Sequence, residues 1–391
     1  MKKSIISFIA CAFAAVSCVY PYDAEIGGGS DDLVIEGDIF IGSVSEFEVS
    51  TLMPVSSPKF SEEVVEHPDS HVWVENSEGE VFEGLNNGEG IYKVDLSDAD
   101  PSLEYRLRVD VTGGRSYGSS WMASAGVCYA DSLSYNLSET KDALTIMLSM
   151  HSDATSNRHF RYRYTEDWQY HAMHDAALYY EPPTSYWRGG TGTISSYFVD
   201  GKVNNYYCWD KDKARGINLA TTEDLQGTAL VDYPVMTFTD RTDTRFCYIY
   251  RIKLEIYPVE EDSYDYFEHV KELYSYTGSL FAPTPSEVRG NIRCLTDEDE
   301  MVYGYVAVSQ PASFEKYIYG SDLHFYQDAD AAFWDDQVFI ESTWYDAYQQ
   351  NWLPIYNETG IGMHWAPSRC IDCRLKGGTK DRPEDWITND R

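Results

Sequence analysis

Cysteines are the residues of this 391-residue chain whose type and spacing most clearly carry chemistry. Cys18 follows a basic start, an apolar run over residues 5–16 and the small side chains of Ala15 to Ser17. This order is typical of a lipoprotein signal, in which the cysteine thiol receives a diacylglycerol and becomes the new N-terminus. The run is too short to cross a bilayer, which takes about 20 apolar residues. We therefore predict lipidation of Cys18 rather than plain secretion.

The same pattern divides the N-terminal region. Residues 1–17 are predicted to be a lipoprotein signal peptide, and residues 18–32, which include a Gly-Gly-Gly-Ser stretch, a flexible tether. Stable anchoring takes two or more acyl chains, a condition that a triacylated cysteine meets. The mature body is then expected to hang from the membrane by its N-terminal lipid.

Six cysteines remain in the mature body, and two of them form a C-x-x-C motif. The motif is Cys370 to Cys373, with the spacing of redox and zinc sites. Redox chemistry would place it at the start of a helix in a βαβ unit, but here it lies in a polar C-terminal tail. Zinc would need two further ligands. Export makes disulfides possible, so a bridge within the motif and a bridge to a distant cysteine both stay open.

No other residue pattern indicates catalysis. His171 and His174 are three apart, but no third metal ligand can be named, so packed or solvated imidazoles are preferred to a metal site. The serines of "YGSSW" (Tyr117–Trp121) and "TGTISSY" (Thr191–Tyr197) do not stand in a G-x-S-x-G nucleophile elbow, and the glycine turn Gly189–Thr193 lacks the lysine of a phosphate-binding loop. Carboxylates are too abundant for any pair to be chosen as acid and base. We predict a protein that is not an enzyme and holds no cofactor or metal.

The charge of the chain excludes some classes of partner. The formal net charge is −34, and removal of residues 1–17, which carry two lysines and no acidic residue, would make it −36. Such a surface repels nucleic acid and anionic lipid. We predict no nucleic-acid partner.

Strand patterns dominate the elements that must position these residues. Three early segments alternate apolar and polar side chains, namely Leu33–Phe40, His71–Gly84 and Glu104–Val111, with glycine-rich turns between them. Short strands with regular turns are typical of a β-sandwich. The predicted fold is mainly β, with an N-terminal immunoglobulin-like β-sandwich over residues 31–125.

The remaining chain, residues 126–391, is predicted to form a larger β-rich domain with one or two helices. Arg251–Tyr257 alternates strictly, as a strand does. The spacing then changes to that of a helix near residues 263–275, with Gly278 after it. A second, weaker helical pattern lies within residues 341–352. The cysteine-containing tail closes the chain.

Several stretches together resemble a known family. They are "LVIEGDI" near the start, "YTGSLFAPTPSEVRGNI" from Tyr276 to Ile292, "VYGYVAVS" shortly after it, and "CIDCRLKGGTKDRPEDW" from Cys370 to Trp386. The chain is similar in these stretches to the Bacteroidetes outer-membrane lipoprotein family known as domain of unknown function forty-two forty-nine. The resemblance covers nearly the whole mature chain. The family has no established catalytic residues, so it supplies none for this chain.

The resemblance implies a function and a location. Genes of the family often lie beside TonB-dependent outer-membrane receptors, which implies an accessory lipoprotein that binds a ligand or partners such a receptor in nutrient uptake. The alternatives are a surface adhesin or structural lipoprotein, and a lipid-anchored hydrolase. Acidic residues near the lipidated cysteine are the export signal in this phylum. Asp23 and Glu25 therefore weakly favour the cell surface over the periplasmic face of the outer membrane.

The resemblance also bears on the cysteines. Cys208, in "YYCWD", has a setting similar to that of the family, whereas Cys128, Cys247 and Cys294 lie where family cysteines are not expected. We predict that Cys208 pairs with Cys370 or Cys373.

Overall fold

The computed structural model describes residues 33–387 apart from 52–64, 67–68, 87, 89, 141, 154–156, 184–191, 215, 241–242, 277–288, 324–338 and 341–343. Cys18, the predicted signal peptide and the predicted tether lie outside the described residues. None of the described helices is both long and apolar enough to span a membrane. The described chain is mainly β, as predicted.

The described residues of the first part of the chain form nine strands. They are β1 (Leu33–Gly37), β2 (Ile39–Phe40), β3 (Val44–Thr51), β4 (Val65–Glu66), β5 (His71–Asn76), β6 (Val81–Asn86), β7 (Ile91–Asp95), β8 (Tyr105–Val111) and β9 (Arg115–Ser119). All except β2 belong to one sheet.

The strand β6 joins the two halves of this sheet. Residues 81–83 pair with β5, and residues 84–86 pair with β7. Gly84 stands at the change of partner, where a Cβ would lie 2.5 Å from the Val72 carbonyl oxygen. Residues of both halves, such as Phe47 and Leu107, share one apolar core. The predicted N-terminal β-sandwich is confirmed.

The described residues of the second part add nine strands before the first α-helix and four after it. They are β10 (Cys128–Leu137), β11 (Leu144–Ser152), β12 (His159–His171), β13 (Leu178–Glu181), β14 (Thr193–Ser196), β15 (Tyr207–Lys213), β16 (Leu219–Thr221), β17 (Ala229–Phe238), β18 (Ile249–Val259), helix α1 (Glu261–Tyr276), β19 (Ile292–Cys294), β20 (Val302–Tyr303), β21 (Val308–Ser309) and β22 (Ala312–Tyr319).

Two sheets of this second part enclose a core of their own. One has the order β10-β11-β17, and the other has the order β15-β12-β18-β22, with β16 also paired to β12. The long central strands β12 and β18 pair antiparallel from His159–Val259 to Gln169–Ile249. Their inward side chains, including Phe160 and Leu254, pack with those of the smaller sheet.

After the predicted domain boundary at residue 125, the chain returns to the first sheet. The sequence predicts that all residues after 125 belong to the second domain. In the structure, β19 pairs antiparallel with β9 and β20 pairs parallel with β1, so both are strands of the first sheet. These pairings satisfy backbone groups that would otherwise be exposed at the two edges of that sheet. The segment 292–303 is therefore part of the N-terminal sandwich.

The end of the chain forms a small sheet and a short helix. These elements are β23 (Phe339–Ile340), α2 (Trp344–Gln349), β24 (Trp352–Glu358) and β25 (Gly362–Pro367). Helix α1 begins two residues before and ends one residue after the predicted helix at 263–275. Of the described residues within the weaker helical pattern at 341–352, six are helical, and the chain enters β24 at Trp352.

Candidate functional site

We call the N-terminal sandwich the first body and the two sheets that enclose the second core the second body. Three of the segments that resemble the family meet where the two bodies contact each other, a place we call the junction. The segment before β2, the segment leading into β19, and the segment from β20 to β21 lie side by side. The parallel pairing of β2 with β21, Ile39 with Val308 and Phe40 with Ser309, ties the first segment to the third.

Glycines allow the three segments to approach closely. A Cβ on Gly290 would lie 1.6 Å from the carbonyl oxygen of Gly304, and a Cβ on Gly304 would lie 2.0 Å from that of Ile35. Gly304 also has a φ of 127°, which L-residues rarely adopt. No side chain can be placed at either position without moving the backbone of the neighbouring segment.

The residue after Gly290 fixes the same approach by hydrogen bonds. The Asn291 side-chain amide donates to the Val306 carbonyl at 2.8 Å, and its oxygen accepts from the Val306 N–H at 2.9 Å. Ile292 follows and is buried in the first core. The family-like Gly-Asn-Ile stretch therefore has a structural role in this protein.

A buried carboxylate links the junction to the second body. Asp38 is 3% exposed and accepts hydrogen bonds from the Ala307 N–H at 2.9 Å and from the Tyr257 hydroxyl at 2.8 Å. The Arg161 guanidinium pairs with it at 2.9 Å. Burial raises the pKa of the Tyr257 phenol well above its usual value, so this hydroxyl stays a hydrogen-bond donor at neutral pH.

A cleft of about 680 Å³ lies between helix α1 and this junction. Asp262, Asp265 and His269, spaced three and four apart, line it from one face of the helix. Arg289 and Arg293 line it from the segment that leads into β19. The cleft therefore has acidic side chains on one wall and basic side chains on the other.

Hydrogen bonds to the junction hold residues that line the cleft. The Arg293 guanidinium donates to the carbonyls of Gly290 and Ile292, both at 2.7 Å. The Gly304 N–H donates to the hydroxyl of Tyr266, a cleft residue of the helix, at 3.2 Å. Such a cleft can hold a polar ligand by charge-assisted hydrogen bonds on both sides.

The cysteines of the C-terminal tail do not line this cleft. One of them forms the predicted long-range disulfide. Cys208 and Cys373 form a disulfide, with a Cα–Cα distance of 5.7 Å. This is one of the two pairings that the sequence predicted. The bond joins β15 to the start of a 3₁₀ turn, Cys373–Lys376. Cys370 is buried in a separate apolar cluster, so the alternative of a bridge within C-x-x-C is not realised.

The residues between and after these cysteines hold the tail on the sheet. Asp372 accepts from the Arg374 N–H at 3.1 Å at the start of the 3₁₀ turn. The Tyr170 hydroxyl donates to the Cys373 carbonyl at 3.1 Å and accepts from the Gly378 N–H at 2.7 Å. A Cβ on Gly378 would lie 2.2 Å from that hydroxyl, so only glycine fits.

The two histidines singled out in the sequence are placed as packed residues. The His171 ring stacks on Tyr206 with centroids 4.9 Å apart, and its Nδ1 lies 2.8 Å from the Ala172 carbonyl oxygen. The His174 N–H donates to the Cys370 carbonyl. In the part of the chain that the structure describes, no three His, Cys, Asp or Glu side chains are grouped to hold a metal.

Sequence reasoning missed Asp38 and its partner Arg161. Asp38 stands in "LVIEGDIF", where it reads as one polar position of an alternating strand. Its partner lies 123 residues further on, and only the packing of the two bodies brings the pair together. The one available signal was the carboxylate between two apolar stretches.

The comparisons with known proteins identify a family. The family described as "Domain of unknown function (DUF4249)" matches residues 19–315. No curated protein matches the chain. A solved structure titled "Biofilm associated protein - BSP domain" aligns at 7% identity over 76% of this chain and 61% of that chain, less than two thirds of its length. Its TM-score of 0.13 carries no argument about fold or function. The chain belongs to the DUF4249 family.

Proposed function

We propose that this member of the family is a lipid-anchored accessory protein of the outer membrane, not an enzyme, which binds a ligand or a TonB-dependent receptor in nutrient uptake. The observation that carries the proposal is the cleft between helix α1 and the junction, which has acidic side chains on one wall and basic side chains on the other. It stands directly over the segments that resemble the family.

The cleft suits binding because contacts within the fold hold residues of both walls. The arginine wall is fixed by the contact of Gly290 with Gly304 and by the Asn291 amide. The acidic wall lies on a helix of 16 residues. Charged groups held in place before a partner arrives lose little freedom on binding, which favours affinity and a defined orientation.

A pull-down from detergent-solubilised outer membrane tests the proposal. The tagged full chain is expected to recover a β-barrel receptor, and Arg293→Ala and Asp265→Asn are expected to weaken that recovery. Lys271→Ala and Glu268→Gln are matched controls, because both residues lie on helix α1 and neither lines the cleft. Equal recovery with all four variants would contradict a role for the cleft, and recovery of no receptor would contradict the partnership.

A further inference from the structure

A turn after β14 presents apolar side chains to solvent. Phe198, Val199 and Val203 are 93%, 77% and 81% exposed, and we call these three residues the tip. The turn is folded. The Lys202 N–H donates to the Tyr197 carbonyl at 2.9 Å, and Gly201 takes the left-handed φ of 62°.

The charged side chains of the same turn contact a tyrosine of the neighbouring strand β13. Asp200 accepts from the Tyr179 hydroxyl at 2.6 Å, and the Lys202 ammonium donates to that hydroxyl at 2.7 Å. The Lys202 ammonium also lies 4.1 Å from the Tyr179 ring centroid, and the rings of Tyr179 and Tyr197 are 4.9 Å apart. The turn thus combines an apolar tip with two tyrosine rings. Its charged residues Asp200 and Lys202 are exposed beside them, and Lys202 also pairs with Glu181 at 3.3 Å.

We propose that the tip inserts into the outer part of a lipid bilayer of low negative charge. A bilayer takes up each apolar side chain independently and needs no matching shape. A stable protein interface instead buries about 800 Å² on each partner and has a polar rim around its apolar centre, which three side chains do not supply. Tyrosine rings favour the level of the lipid headgroups, and a lysine stem can extend back to water.

The charge of the chain decides which bilayer fits. The formal net charge of −34, or −36 once residues 1–17 are removed, opposes approach to an anionic surface, whereas zwitterionic lipid carries no such penalty. The inference rests on the proposed anchoring, because a lipid on Cys18 keeps the body beside the membrane. A weak second contact then becomes effective through its high local concentration.

Photocrosslinking from the tip tests the inference in the full chain. The full chain with the substitution Phe198→p-benzoylphenylalanine is produced in cells that anchor it, and their membranes are irradiated. Adducts are then analysed in the membrane fraction. Val231→p-benzoylphenylalanine is the control, because Val231 is 74% exposed on β17, outside the turn. We expect adducts with lipid from position 198, several-fold above those from position 231.

Other outcomes separate the inference from the proposed anchoring. A membrane-bound chain without lipid adducts at position 198, or with equal adducts at both positions, overturns the inference alone. Adducts with a protein at position 198 overturn it in favour of a docking site. Recovery of the chain in the soluble fraction overturns both the anchoring and the inference.

Discussion

Gly290 lies against Gly304 so closely that a Cβ on the first would stand 1.6 Å from the carbonyl oxygen of the second. Gly304 in turn approaches the Ile35 carbonyl. These contacts bring three parts of the chain together, namely the residues before β19, the residue after β20 and the strand β1. The cleft with its two charged walls depends on this packing.

Substitution of Gly290 by alanine is expected to destabilise the protein by roughly 2–4 kcal/mol, since the methyl group must displace backbone. Urea unfolding of the full chain measures this loss. Gly79→Ala is the control, because Gly79 has a φ of 89° but nothing within 4 Å of its Cβ position. Its cost is expected to be about 1 kcal/mol. Equal losses in the free energy of unfolding for the two variants would show that the close contact of Gly290 with Gly304 does not contribute to stability.

Removal of the Asp38 carboxylate is expected to loosen the two bodies from each other. Asp38→Ala leaves the Arg161 guanidinium and the Tyr257 hydroxyl without their buried acceptor, which typically costs about 3–5 kcal/mol. The thermal midpoint of unfolding gives the measurement. Glu46→Ala breaks an exposed pair with Lys93 and should cost less than about 1 kcal/mol. A small effect at Asp38 would contradict the buried link.

Reduction of the disulfide is expected to lower stability by about 2–5 kcal/mol, with roughly 5 kcal/mol as the limit for so long a loop. The thermal midpoint with and without dithiothreitol measures the effect. The double variant Cys208→Ala, Cys373→Ala should lose its response to the reductant, while Cys370→Ala should keep it. If instead Cys370→Ala abolished the response, the bond would involve Cys370, joined either to Cys208 or to Cys373.

Glu36 is expected to make stability depend on pH. It stands opposite Glu48 in the register of β1 with β3, and desolvation, followed by the Glu48 carboxylate, raises the pKa of Glu36. Lys213 and Arg161 oppose the shift. A raised carboxyl pKa means that the charged form is penalised in the folded state. This penalty is present above the folded pKa and disappears as the pH falls below the unfolded pKa.

Glu36→Gln should therefore stabilise the protein at pH 7 by less than about 1 kcal/mol, the scale of a like-charge pair across strands. The gain should vanish near pH 4, about the pKa of an unfolded glutamate. Urea unfolding at the two pH values provides the test. Glu78→Gln, in an exposed turn, is the control and should show no such difference. A gain for Glu36→Gln that was the same at both pH values would exclude this account.

Cys18→Ala is expected to release the chain from the membrane fraction or to leave its signal peptide uncut, because the lipid can no longer be attached. Detergent-phase partitioning with an antibody to the body measures the outcome. A variant that is cut normally and stays in the membrane would show that the lipoprotein interpretation is wrong.

Local patterns were sufficient for the elements whose burial follows a simple period. The alternation at His71–Gly84 corresponds to β5 and β6, and the helical spacing near 263–275 corresponds to α1. In β5 every second residue is buried, and in β6 and α1 the half-buried residues recur with the period of the backbone. The lipoprotein pattern at Cys18 is likewise local, and it stays a prediction.

Tertiary structure alone decided the pairings between distant segments. The short strands β19 and β20 carry too few residues to show a period, and their place in the first sheet depends on the free edges of β1 and β9. The choice of Cys373 over Cys370 likewise depends on which thiol the tail brings to Cys208. The burial of Asp38 depends on two bodies closing over it. Such contacts are set by the packing of the whole chain, which no short window of sequence contains.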